Sequence, residues 1–164
     1  MIMCDTVTLN DKKDAIKIID QTLLPNRFEQ IELSDLESVY HAIKTLQVRG
    51  APAIGVTAGY AMYLAALNCH TSDVKIMLAE LERAGKYLTS ARPTAVNLKW
   101  AVDRMYNIAL NSRADTREKM INLLLSESVK IAEDDIASCT VIGENMLHLL
   151  RPGMGILTHC NAGS

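Results

Sequence analysis

Aromatic side chains are scarce, with one Phe, one Trp and five Tyr in 164 residues. Packing must therefore rest on Leu, Ile, Val, Ala and Met, a balance that favours helices over a β-sandwich. No apolar run reaches the roughly 18 residues that a membrane helix requires, so no contact with a membrane is expected. The opening Met1-Ile-Met-Cys-Asp-Thr6 lacks the basic and apolar regions of a signal peptide, which points to a cytoplasmic protein. The net charge is −2, and Lys and Arg are scattered rather than striped, so nucleic acid is not an expected partner. Cys4, Cys69, Cys139 and Cys160 form no C-x-x-C pair and His-x-x-x-His is absent, so no structural zinc is expected. Free thiols, most of them buried, are the simplest reading in a reducing compartment.

What is present suffices for one ordinary domain, or one domain with part of a second. Hydrophobic residues make up 49% and charged residues 22%, the balance of a globular protein with a sizeable core. Residues 6–33 read as β. Thr6 to Leu9, Ala15 to Asp20 and Arg27 to Leu33 are short apolar-bearing runs separated by Asn10-Asp11 and by the turn at Pro25-Asn26. They predict a small antiparallel meander. Ser34-Asp-Leu-Glu37 has capping-box spacing and opens a helix ending near Gln47. Pro52, favoured in a first helical turn, opens a second helix to about Leu67. That helix carries no charged residue, which marks it as central and buried.

Ser72 is the expected cap of a third helix bearing Val74, Met77, Leu78, Leu81 and Leu88. Pro93 opens a fourth, with Leu98, Ala101, Val102, Met105 and Ile108 on one face. A long helical stretch follows from about Asp115 to Leu150. It is expected to bend at Glu133-Asp-Asp135, read as a fresh, solvated helix start. Arg151-Pro-Gly153 ends it. The apolar Gly155-Ile-Leu157 then reads as a strand delivering Cys160 to a loop of small residues, the place where open α/β sheets bind ligands.

Arg49 and Arg92 share a setting, each just ahead of a proline that starts a helix. A helix N-terminus carries unpaired N–H groups and partial positive charge, so a guanidinium beside it calls for a shared anion. Phosphate fits, because it accepts bidentate bonds from arginine as well as backbone N–H bonds. Gly50 and Ala51 let the backbone approach such a group. Either arginine alone is most simply a solvated surface residue; the pair makes the pattern suggestive. Cys160 alone is by default an inert thiol. His159 is a poor base for it, since neighbours on a strand point to opposite faces. His41, His70 and His148 read as structural or exposed, and Met120 and Met146 as core filler.

Four stretches together carry a resemblance. They are Ile19-Asp-Gln-Thr-Leu-Leu-Pro25, Val48-Arg-Gly-Ala-Pro-Ala-Ile-Gly55, Ser90-Ala-Arg-Pro-Thr-Ala-Val-Asn-Leu98 and Ile156-Leu-Thr-His-Cys-Asn-Ala-Gly163. In this order they resemble the S-methyl-5-thioribose-1-phosphate isomerase family, which shares a superfamily with regulatory subunits of a translation-initiation exchange factor. The resemblance implies an α+β N-terminal domain over residues 1–150, a small antiparallel β-meander followed by a helical bundle. Residues 151–164 would then begin a truncated Rossmann-like domain. It also implies conversion of an aldose 1-phosphate, methylthioribose 1-phosphate, to its ketose in methionine salvage, with no metal or redox cofactor and commonly as a homodimer. Arg49, Gly50, Ala51 and Arg92 would contact the phosphorylated sugar, and Cys160 would support the transition state.

Such chemistry needs a phosphate clamp, an acid–base pair and exclusion of water. The family's proton-donating aspartate lies downstream of its Cys motif, so the 164-residue chain is expected to be an inactive N-terminal portion. Two rivals stand beside this reading. One is an isomerase of ribose 1,5-bisphosphate or 5-deoxyribose 1-phosphate. The other is a non-catalytic exchange-factor-like module, which would not need Cys160.

Overall fold

The computed structural model describes residues 6–159. The predicted meander forms, with β1 (Val7–Leu9), β2 (Ile16–Ile19) and β3 (Gln30–Leu33) in the order β1-β2-β3. Both pairings are antiparallel, with Thr8 opposite Lys17 and Ile18 opposite Ile31. Alternation sends Ile16 and Ile18 into the core while Lys17 faces out. Five helices follow: α1 (Leu36–Lys44), α2 (Ala51–Leu67), α3 (Val74–Ala91), α4 (Val96–Leu110) and α5 (Arg117–Leu147).

Helix α2 is the axis of the molecule. It touches β1, β2 and all four other helices, and twelve of its seventeen residues are buried. The absence of charge in its sequence follows from this position, because a charge buried on any face would need a partner there. Glycines permit the close helix contacts. A β-carbon on Gly85 of α3 would lie 2.7 Å from Val102 Cγ1 of α4, and one on Gly59 of α2 would lie 3.0 Å from Ile131 Cδ1 of α5.

Several boundaries differ from the sequence reading. The cap of α1 is Asp35, not Ser34: the Asp35 carboxylate accepts the Ser38 N–H at 2.8 Å. The helix stops at Lys44, short of Gln47, because Leu46 adopts a positive φ of 66°. Asp73, not Ser72, caps α3. Pro93 does not open α4. The Ala95 N–H donates to the Arg92 carbonyl at 3.0 Å, which puts Pro93 at the second position of a turn, and the helix begins at Val96.

α5 runs without interruption through Glu133-Asp-Asp135, which is therefore not a new helix start. Asp134 is tied to Arg104 of α4 at 3.1 Å. The predicted strand at Gly155–Leu157 is absent; residues 155–159 have no regular structure, and Leu157 is 99% exposed. No parallel neighbour is present among the described residues to satisfy a strand's backbone there. Two further expectations fail for lack of packing partners. Cys139 and Met146 are exposed, although Met120 is fully buried as expected.

Candidate functional site

The two helix starts flagged by arginine come together. Gly55, in the first turns of α2, meets Asn97, in the first turn of α4: a β-carbon on Gly55 would sit 3.4 Å from both Asn97 Cβ and the Asn97 carbonyl oxygen. Further along, Met62 of α2 and Val102 of α4 both pack around Gly85. The two helices therefore run side by side in the same direction, with their N-termini at one end of the bundle. Arg49 precedes one of these starts and Arg92 the other.

These two starts differ from the rest. Side chains cap α1 (Asp35), α3 (Asp73) and α5 (Thr116), whereas Gly50 and Ala95 offer α2 and α4 no side-chain bond. The first-turn N–H groups of α2 and α4 are thus left for another acceptor. Pro52 contributes none, and its fixed φ suits the first turn. Gly50 stands at φ 93°, a conformation that side-chain-bearing residues rarely adopt, and its carbonyl accepts the Ile54 N–H at 3.0 Å. At the opposite end, Arg117 of α5 donates to the Leu67 and Cys69 carbonyls, both at 2.6 Å, and so closes the C-terminus of α2.

Arg49 is exposed and held by the loop after β2. Its Nε donates to Gln21 Oε1 at 3.5 Å, and Gln21 Nε2 donates to the Arg49 carbonyl at 3.3 Å. That loop is itself pinned. Gln21 N–H donates to the Gln47 carbonyl at 2.9 Å, and Gln47 Nε2 donates to Asp20 Oδ2 at 2.7 Å. Burial of the Asp20 carboxyl opposes its charge. The Thr22 hydroxyl, Gln47, the Thr22 N–H and the charge of Arg27 outweigh that and hold its pKa below the usual 3.8. Arg92 is half-buried at the end of α3. Neither arginine forms an ion pair with an acid among the described residues.

Of the sequence-predicted residues, Arg49, Gly50, Ala51 and Arg92 are therefore brought to one end of α2 and α4. Cys160 lies outside the described residues. The arginine-bearing motifs did not reveal the polar brace of Asp20, Gln21 and Gln47. Asp20 and Gln21 stand in the Ile19–Pro25 stretch that carries the resemblance, but as the end of a strand and the residue after it they gave no sign of bonding Gln47 and Arg49. Among the described residues, two open grooves lie elsewhere. One, of about 710 Å³, lies by Asn10, Lys17 and Ser34; the other, of about 670 Å³, lies by Cys69, His70 and Tyr87. Both reach Asn68, at the far end of α2, roughly 25 Å from its start at 1.5 Å per residue.

Residues 47–164, from just ahead of Arg49 onward, match the initiation factor 2 subunit family. A 5-deoxyribose 1-phosphate isomerase of Clostridium botulinum (strain Okra / Type B1) is 46% identical over 154 residues, 94% of this chain and 44% of that protein. A methylthioribose-1-phosphate isomerase of Parabacteroides distasonis is 45% identical over 154 residues, covering 94% and 46%. The chain thus spans less than half the length of the curated relatives it matches. Among solved structures, 5-methylthioribose 1-phosphate isomerase from Pyrococcus horikoshii OT3 superposes with a TM-score of 0.76 at 35% identity, covering 82% of this chain and 37% of that one. The translation initiation factor eIF-2B subunit delta from A. fulgidus superposes with a TM-score of 0.85 at 39% identity, covering 96% and 45%.

Proposed function

We propose, on the premise that this chain belongs to the initiation factor 2 subunit family, that it carries the phosphate-holding part of a sugar 1-phosphate aldose–ketose isomerase. The observation that supports this reading most is the paired helix start. Two uncapped N-termini adjoin, each preceded by an arginine that has no acid partner among the described residues. An ester phosphate between them would accept backbone N–H bonds from α2 and α4 and bidentate bonds from Arg49 and Arg92. The relatives' names supply the substrate class, a ribose 1-phosphate modified at its 5-position.

The mechanism asked of these residues is retention and orientation. A sugar phosphorylated at its anomeric carbon must open its ring and move hydrogen between C1 and C2 without losing the phosphate. Arg49 and Arg92 hold the dianion, Gly50 and Ala51 bring backbone N–H groups close, and the Gln21 brace fixes Arg49 before substrate arrives. Cys160 is proposed to support the transition state beside this clamp. Within the substrate class, our reading favours the 5-methylthio sugar on the Arg-Gly-Ala-Pro and Ala-Arg-Pro-Thr-Ala-Val-Asn-Leu forms, which would make the reaction part of methionine salvage. The likeness to eIF-2B subunit delta supports a second reading, a non-catalytic assembly module. The Thr158-His-Cys-Asn161 element favours the isomerase.

Arg92→Ala and Arg49→Ala in the intact protein test the clamp. Loss of a charge-assisted bond costs about 1.5–3 kcal/mol, so each should raise KM for the aldose 1-phosphate by roughly 10- to 100-fold. Inhibition by inorganic phosphate should weaken in step. KM values within about twofold of the unsubstituted protein in both variants would sink the proposal. A panel of 5-methylthio, 5-deoxy and 5-phospho sugars would rank the substrates.

A further inference from the structure

Helix α5 contacts α2 along a stripe formed by Met120, Leu124, Ser128 and Ile131, all buried. At 100° per residue these positions lie within about 40° of Leu124 around the helix axis. Asp135 falls about 20° from it, in the middle of the stripe and one turn beyond Ile131. The helices run in opposite directions, since Arg117 bonds the last carbonyls of α2 while Ile131 packs on Gly59. One turn past Ile131 is therefore one turn towards the start of α2, level with Gly55, the residue that meets Asn97 of α4. Helix geometry thus carries the carboxyl one turn past the buried stripe, on the side of α5 that faces α2 and towards the α2 start.

Asp135 is half-buried, the last residue of α5 before the helix becomes fully exposed. It has no hydrogen bond or ion pair among the described residues. Its neighbour Asp134 is committed to Arg104, which also holds Glu127 at 2.5 Å. Burial raises the Asp135 pKa above 3.8, and no charge or hydrogen bond counters it. Partial burial disfavours its charged form, and no neighbouring donor offsets this. Carboxylates repel phosphate, so the part of a phosphorylated sugar suited to bond it is a neutral donor. The hydroxyls of the sugar are donors of the right kind.

We propose that Asp135 is a substrate-binding residue that accepts a hydrogen bond from a ring hydroxyl of the sugar whose phosphate is held at the two helix starts. The inference rests on the phosphate reading given above and extends it to the sugar. It predicts a split between sugar and phosphate recognition. In the intact protein, Asp135→Ala should raise KM for 5-methylthioribose 1-phosphate by about tenfold or more. Asp135→Asn, which keeps one acceptor oxygen, should raise it less. In both variants the inhibition constant of inorganic phosphate should stay within about twofold, and the melting temperature should not fall.

Unchanged KM in both variants would overturn the proposal. So would a parallel rise in KM and in the inhibition constant, which would make Asp135 a support of the anion clamp instead. The unsubstituted protein is measured first. If inorganic phosphate does not compete with the sugar there, the phosphate reading itself has failed, independently of any Asp135 result.

Discussion

The two halves of α5 make an instructive contrast. From Arg117 to Ile131 the helix buries a stripe against α2, with Leu124 fully enclosed. From Ile136 to Leu147 the same helix is exposed on every side, although it carries Ile136, Val141, Ile142 and Leu147. Backbone hydrogen bonding is continuous across both, so local propensity does not separate them. What separates them is whether apolar area leaves water. Burial of a Leu or Ile side chain contributes about 1.5–3 kcal/mol, and an isolated helix of about 12 residues is marginal without it. The outer half is helical because the inner half nucleates it. Among the described residues, its apolar side chains have nothing to pack against.

The largest test of this contrast is Leu124→Ala against Ile142→Ala. The first should destabilise the chain by about 2–5 kcal/mol and the second by less than about 0.5 kcal/mol, read from urea midpoints. Equal losses would mean that the outer half is packed. Next is Arg104→Ala, at the junction, where Glu127 and Asp134 share one half-buried guanidinium. Burial opposes its charge, but both acids hold its pKa raised, so removal should cost roughly 1–3 kcal/mol. Amide exchange should quicken after residue 134 and not before.

Two glycines give a smaller and opposite pair. Gly59→Ala pushes on Ile131 Cδ1 at 3.0 Å and should cost up to about 1 kcal/mol, because the side-chain end can yield. Gly143→Ala meets nothing within 4 Å and should gain about 0.5–1 kcal/mol of helix stability, visible as added helicity.

The smallest effect is the pH dependence of Asp135→Asn. A carboxyl whose folded pKa is raised imposes a penalty that is present above the folded value and absent below the unfolded 3.8. The variant should therefore be more stable than its parent at neutral pH, and that gain should disappear as the pH falls below 3.8. Asp20 has the opposite sign. Its lowered pKa contributes stability above 3.8 that is lost in acid, so Asp20→Asn should be less stable at neutral pH.

Much of the architecture could be read from residue pattern, because period-2 and period-3.6 alternation report burial directly. The meander, the charge-free α2 and the buried face of α4 all followed from it. Caps proved harder. Ser34 and Asp35, like Ser72 and Asp73, are adjacent residues of equal capping ability, and the chain's entry angle chose the aspartate each time. Pro93 suits a turn as well as a first helical turn, and only the Arg92–Ala95 hydrogen bond distinguishes them. Arg49 and Arg92 were legible because a guanidinium beside a helix start is locally incongruous. Asp135 was not, since an acidic triplet reads as solvated surface until its angle around the helix is compared with Leu124 and Ile131. The Gly155–Leu157 run looked like a strand by composition, but a parallel strand is a property of its neighbours.

The centrality of α2 has one more consequence. Because this helix packs against β1, β2 and the four other helices, its buried body, from Ile54 onward, cannot shift without disturbing the bundle. An anion held there, as proposed above, would meet donors already in place, and little ordering free energy would be subtracted from its affinity. Anchorage at the middle of the molecule thus reaches its edge as a fixed set of backbone donors.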